Sequence, residues 1–271
     1  MRRVPFSLVA TAAFLYLPLI VLLVFSFNRS SVMAFPLSGF TLSWYQSLAG
    51  NKAFIDGFIT SFLIAQPVGI LGALFGLAAA LALTAERLRW RLLFVILLLV
   101  PFLVPKSVLS IAQVMVMSRM GFERGATALI LAQSLVVIPF TTTIIAAVVV
   151  RLDPRIEEAA RDLGATPWQS FRRVVLPQLK PALGAAYSVG VILSLADLAI
   201  SMFLAGRTQP LSLIVMSQFR RELSPDLNAM QVVVLLLTAL VVVANEVARR
   251  HWVAARRRRI ISVNQLVEMA P

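Results

Sequence analysis

The chain has no cysteine among its 271 residues. Disulfides, thiol catalysis and thiolate metal sites are therefore closed to it. It has one histidine, His251. That excludes histidine-cluster metal sites and leaves a Ser-His-Asp triad implausible. His251 stands between Arg250 and Trp252 at the end of an apolar segment and reads as an interfacial residue. Acids are also scarce, with 12 Asp and Glu against 25 Lys and Arg, for a net charge of +13. Charged residues make up 14% of the chain, where a soluble domain carries about a quarter. There is no GxxxxGK[ST] and so no nucleotide-binding P-loop. There is no G-x-S-x-G, no H-E-x-x-H and no carboxylate pair within an apolar segment, which argues against an intramembrane enzyme. No internal repeat is evident.

What the chain has is hydrophobicity: 59% of its residues, with a mean hydropathy of +0.88. Six apolar segments are long enough to cross a hydrocarbon core of about 30 Å. They are Val4–Phe27, Phe58–Thr84, Leu92–Ser118, Ala126–Val150, Leu183–Ala205 and Met230–Ala248. The expected fold is therefore all-α, a polytopic membrane protein with six transmembrane helices. Pro101 and Pro105 interrupt the third segment, so a shorter span followed by an interfacial helix is the alternative there. The first segment is too long for a signal peptide and has no small-x-small cleavage site, so it reads as an uncleaved anchor.

Charge asymmetry sets the expected orientation, because Lys and Arg concentrate in cytoplasmic loops. With both termini in the cytoplasm, 17 of the 25 Lys and Arg lie on the inner side and eight on the outer. The basic run Arg256–Arg259 follows a span directly, so it needs no nucleic acid to explain it. It reads as a topology anchor that meets anionic headgroups of the bilayer.

Gly69, Gly72 and Gly76 lie along the second span, and Gly72–Gly76 is a GxxxG that lets helix backbones approach closely. Pro67, Pro101, Pro105 and Pro139 each remove a backbone hydrogen bond in or near a span, as hinges or as static kinks. Between the first two spans, Thr41–Tyr45 reads as the start of an interfacial helix. A second external segment, Gly206–Ala229, carries Arg220, Arg221, Glu222 and Asp226. Asp197 is the one carboxylate well inside a span, flanked by Ser194 and Ser201. A lone ionisable group there is costly unless it meets a cavity or a partner, so it is a functional candidate, against a purely structural bond to neighbouring hydroxyls. Gln133, Asn245 and Glu246 are weaker candidates.

The most informative stretch is polar. Glu157–Pro177 reads EEAARDLGATPWQSFRRVVLP, and its punctuation predicts two short helices and a tight turn. Asp153 is placed to cap the first helix, with Pro154 just inside it. Gly164 is placed to stop that helix. Thr166 is the second N-cap, with Gln169 as its capping-box partner, and Leu176-Pro177 marks the second helix's end.

Glu158-Ala159-Ala160, then Gly164 after three intervening residues, and Val174-Val175-Leu176-Pro177 resemble the EAA loop of bacterial ABC-importer permeases. That family has isoleucine where Val174 stands. Trp44-Tyr45, Pro139-Phe140 and Phe203–Gly206 through Leu223–Ala229 resemble the second permease of spermidine/putrescine-type systems, a group that also serves opines, amino acids and aminoethylphosphonate.

The resemblance implies a type I, MetI-like permease fold in the bacterial inner membrane. Residues 1–57 would hold the first span and a periplasmic segment. Residues 58–250 would form the core permease domain with a cytoplasmic coupling loop at 151–181, and 251–271 a basic cytoplasmic tail. Implied partners are a homologous second permease, a cytoplasmic ABC ATPase dimer and a periplasmic solute-binding protein, with no nucleic acid. ATP and Mg would sit on the ATPase, so this chain has no cofactor or metal of its own and is not an enzyme. The implied coupling residues are Glu158, Ala159, Ala160, Gly164, Thr166, Leu176 and Pro177. Candidate substrate-pathway residues are Asp197, Ser194, Ser201 and Lys106. Here the sequence departs from the polyamine pattern, which has two successive acids where Ala196-Asp197 stands and an acid where Lys106 stands. The expected function is uptake of a small polar organic solute, driven by ATPase closure through the EAA loop. The alternatives are a self-contained channel or secondary carrier, and a membrane-anchored interaction protein.

Overall fold

The structure, a computed structural model, describes residues 6–30, 36–84, 90–220 and 227–240, together with 243, 244 and 247. Among the described residues the named elements are all helical: α1 (Phe6–Ser26), α2 (Ser43–Gly50), α3 (Lys52–Thr84), α4 (Arg91–Leu103), α5 (Lys106–Arg119), α6 (Ala126–Val149), α7 (Pro154–Asp162), α8 (Pro167–Ser170), α9 (Leu176–Leu195), α10 (Ala199–Leu204), α11 (Leu211–Phe219) and α12 (Leu227–Leu240). A π-helical turn, Phe171–Val175, joins α8 to α9. Asn245, Glu246, His251 and the Arg256–Arg259 run lie outside the described residues.

By length and composition, α3 and α6 suffice to cross a bilayer, and α4 with α5 makes a third span if the bent pair counts as one. Ala13–Ser26 and Leu227–Leu240 are shorter apolar helices.

The described residues fall into two compact units, those within 1–60 and 209–239 and those within 61–208 and 240–271. In the first, Leu48, Phe54, Leu211, Leu227, Ala229 and Met230 form the core, with Trp44 and Tyr45 packed against it. The helix expected to start at Thr41–Tyr45 is α2. Its aromatics are tied to the end of α1: Trp44 Nε1 donates to the Asn28 carbonyl at 2.8 Å, and the Tyr45 and Ser26 hydroxyls are 2.7 Å apart. These bonds satisfy polar groups that burial would otherwise penalise by about 1–3 kcal/mol each.

The second unit is built on the glycine stripe of α3. A Cβ at Gly72 would stand 2.7 Å from Val137 Cγ1 of α6, and one at Gly76 would collide with Thr141. A Cβ at Gly69 would stand 2.9 Å from Tyr187 of α9. The close approach lets Thr141 Oγ1 donate to the Gly72 carbonyl at 2.6 Å, a bond from helix to helix in an apolar setting. Gly190 of α9 meets Gly69 in the same way, backbone against backbone. The sequence pattern predicted close packing, and the structure names both partners.

Three expectations change. The third apolar segment is two helices at 109° to each other. Val104 takes extended dihedrals (φ −92°, ψ 132°), because the Pro105 ring disfavours a helical residue before it. The fifth segment is also broken: α9 stops at Leu195 and α10 begins at Ala199. Finally, Leu176-Pro177 does not end the second helix of the polar stretch. The chain runs on from α8 through the π turn into α9. Leu176 N–H reaches back five residues to the Phe171 carbonyl, and the Gln178 side chain donates to the Val174 carbonyl at 3.0 Å. The wider turn accommodates Pro177, which lacks an N–H and would crowd a regular α turn.

Candidate functional site

Two places hold the candidate residues. The first is the α7–α8 pair. Asp153 Oδ1 accepts from Arg155 N at 3.0 Å, and Pro154 opens α7. Glu157 and Arg161 pair at 2.5 Å on the surface, an i,i+4 contact worth about 0.3–0.5 kcal/mol after screening. At the other end Gly164 takes φ +84°. Its N–H donates to the Arg161 carbonyl at 2.9 Å, and Ala165 N–H donates to the Ala160 carbonyl at 3.1 Å. Those two bonds are the Schellman closure, which requires a left-handed residue at Gly164. Two residues on, Thr166 Oγ1 accepts from Gln169 N at 3.3 Å, and Gln169 Oε1 accepts from Thr166 N at 3.1 Å. The capping box is complete.

With its ends satisfied internally, the pair presents side chains outward. Glu158, Ala159, Gly164 and Thr166 are exposed, and Ala160, Leu176 and Pro177 are half-buried. Two large apolar side chains stand out beside them, Leu163 at 90% exposure and Trp168 at 66%. Trp168 stacks on Phe171 with ring centroids 5.7 Å apart. The base of the pair opens on a cleft of about 520 Å³, whose lining includes Thr84, Arg91, Asp153, Glu157 and Gln178.

The second place is the seam between α5, α6, α9 and α10. Asp197 sits in the break after α9, and its Oδ2 accepts from Ile200 N at 3.0 Å and Ser201 N at 3.3 Å. The carboxylate thus caps α10, and that competition for backbone donors accounts for the break. Its Oδ1 lies 3.9 Å from Lys106 Nζ at the head of α5. Ser201 Oγ donates to the Asp197 carbonyl at 3.1 Å. Gln133 of α6 bridges the rest: its Oε1 accepts from Ser194 Oγ at 2.5 Å, and its Nε2 is 3.5 Å from Ser201 Oγ. So all four residues read as the substrate pathway converge, and Gln133, ranked lower from sequence, ties two of them together. Gln113 was missed. It is buried, and its Nε2 donates to the Ala132 carbonyl at 3.0 Å. The signal was a lone amide in an apolar run.

Beside the seam lies a cavity of about 290 Å³, walled by Pro101, Phe102, Val104, Pro105 and Phe140, and Lys106 is the only charged residue among the described residues that line it. The Phe102 and Phe140 rings are 4.5 Å apart.

Long apolar helices, a glycine-packed helix bundle with a buried polar seam, and a doubly capped, exposed helix pair define a helical membrane protein. Comparison with known proteins gives the family. Residues 72–251 match the model of the binding-protein-dependent transport system inner membrane component. The spermidine/putrescine transport system permease protein PotC of Escherichia coli (strain K12) is 30% identical over 227 residues, covering 83% of this chain and 86% of that protein. The sulfate transport system permease protein CysT of the same strain is also 30% identical over 227 residues, covering 75% and 82%. Among solved structures, a bacterial ABC transporter involved in the import of the acidic polysaccharide alginate superposes with a TM-score of 0.68 at 18% identity, covering 89% of this chain and 92% of that one. The chain belongs to the family of binding-protein-dependent inner-membrane transport components, the permease subunits of ABC importers.

Proposed function

We propose that this chain is one of two permease subunits of an importer for a small polar organic solute, and that its α7–α8 pair receives the work of a cytoplasmic ATPase. The observation that carries this reading is the α7–α8 pair itself. Each helix end is satisfied by its own residues, yet Leu163 and Trp168 stand exposed beside Glu158 and Ala159. Apolar side chains held rigidly outward suit a groove on another protein. Ala159 and Ala160 keep one face of α7 thin enough to lie against a groove wall. Glu158 offers it a charge, Gly164 and Thr166 fix the angle between the helices, and Leu176-Pro177 passes movement into α9.

In this reading six spans of the type I, MetI-like fold cross a bacterial inner membrane, with both termini and the 151–181 loop in the cytoplasm. Residues 1–57, 58–250 and 251–271 act as first span with periplasmic segment, permease core and basic tail. A homologous permease completes the pathway, a periplasmic binding protein delivers the solute, and ATP and Mg stay on the ATPase. Asp197, Ser194, Ser201 and Lys106 lie along the pathway. Relatives named for spermidine/putrescine and for sulfate are equally identical to this chain, so identity alone does not choose the solute's charge.

Co-expression with the partner permease and the ATPase tests the reading. The tagged chain should copurify with both, and the complex should hydrolyse ATP. Solute movement in liposomes containing only this chain, without ATP, would contradict it.

A further inference from the structure

Asp197 and Lys106 share one ion pair but differ in what they can offer a solute. The Asp197 side chain is only 4% exposed. Its Oδ2 takes two backbone N–H groups and its Oδ1 faces Lys106. A cationic solute therefore has no open carboxylate to meet there, and no acid is among the described residues that line the adjoining cavity. The Lys106 side chain is 55% exposed and forms that cavity's charged edge, and the residues facing it are apolar. Its ammonium carries three donors, and 3.9 Å is longer than a hydrogen bond, so the pair with Asp197 does not saturate it.

We infer that Lys106 holds an anionic group of the solute: the cargo carries a carboxylate or phosphonate that takes the Lys106 ammonium in exchange for Asp197. The exchange strands neither partner. When Lys106 turns to the solute, Asp197 keeps the N–H groups of Ile200 and Ser201. The apolar walls lower the effective dielectric and strengthen the new pair. At about 290 Å³ the cavity suits a small solute. A polyamine, with ammonium groups alone, meets only like charge. This inference rests on the importer reading above.

The test is ATP-driven uptake by the complete transporter, with its binding protein, of labelled 2-aminoethylphosphonate, octopine, glutamate and putrescine. An anion-bearing probe should be taken up and putrescine should not. Lys106→Ala should cut that uptake at least tenfold at subsaturating solute, and Lys106→Arg should stay within about threefold of the parent. The double variant Lys106→Ala/Asp197→Asn separates solute binding from structure, because it leaves no unpaired carboxylate. It should assemble but keep the raised KM of the single variant. Recovery of uptake in the double variant would mean that Lys106 only neutralises Asp197, and would overturn the inference. So would putrescine uptake indifferent to Lys106, or no uptake of any anionic probe. ATP hydrolysis by the assembled complex, followed in parallel, shows whether the importer reading itself survives such a result.

Discussion

Lys106 and Asp197 stand 3.9 Å apart, each at a helix break of one unit, the cation 55% exposed and the carboxylate 4%. Lys106 opens α5 just after the 109° bend, and Asp197 fills the gap before α10. One ion pair thus joins two points where apolar segments are interrupted. The cap that Asp197 supplies to α10 lies on the same carboxylate, so the pair and the break are one construction.

Asp197→Asn should preserve that construction more than Asp197→Ala does. Asparagine also caps helices, whereas alanine at such a position costs about 0.5–2 kcal/mol. The Asn variant should therefore assemble and import slowly, and the Ala variant should also melt lower in detergent. Unchanged uptake by the Asn variant across solute concentrations would remove Asp197 from the pathway.

Gly164→Val should impair coupling for a conformational reason. A Cβ there meets nothing within 4 Å, so space is not the obstacle. The obstacle is φ +84°, which costs an L residue about 1–2 kcal/mol. Uptake should fall while membrane insertion persists, and Gly164→Asn should be milder, since asparagine visits the left-handed region more readily.

Thr166→Ala removes one half of the capping box and should loosen α8 by about 1 kcal/mol. Limited proteolysis of membrane vesicles should nick the α7–α8 connection faster in this variant. Equal rates would contradict the assigned cap.

Gly190→Ala should be among the most damaging small substitutions in the bundle. The added Cβ would stand 2.9 Å from Gly69 Cα, and backbone cannot rotate aside as a side chain can. A lower melting temperature of the purified chain is expected. Gly50→Ala serves as the control, because a Cβ there meets nothing within 4 Å.

Much of the α7–α8 pair was legible in the sequence because capping is local. Asp153, Pro154, Gly164, Thr166 and Gln169 each act within a few residues of themselves, and each is placed as read. The glycine stripe of α3 was legible as a periodicity, though not its partners. The continuation through Pro177 was not legible, because a π turn and the Gln178 side chain supply what a local rule treats as missing. The Ser194–Gln133–Ser201 bridge was hidden for another reason. Its members are 61 and 68 residues apart, and only the packing of α6 against α9 and α10 brings them together. The break at Asp197 is intermediate: the residue was singled out, but its competition for the N–H groups of Ile200 and Ser201 was not foreseen.

The absence of cysteine makes the most direct test of the central claim a clean one. Ala159→Cys, exposed on α7, supplies a single thiol for a short thiol-to-amine cross-linker in membranes that hold the whole transporter. The control is Leu63→Cys, at a side chain that is 64% exposed on the apolar α3. The account predicts an adduct between this chain and the ATPase from position 159 alone, with a yield that changes on adding ATP. No ATPase adduct from position 159, or an equal yield from both positions, would contradict it.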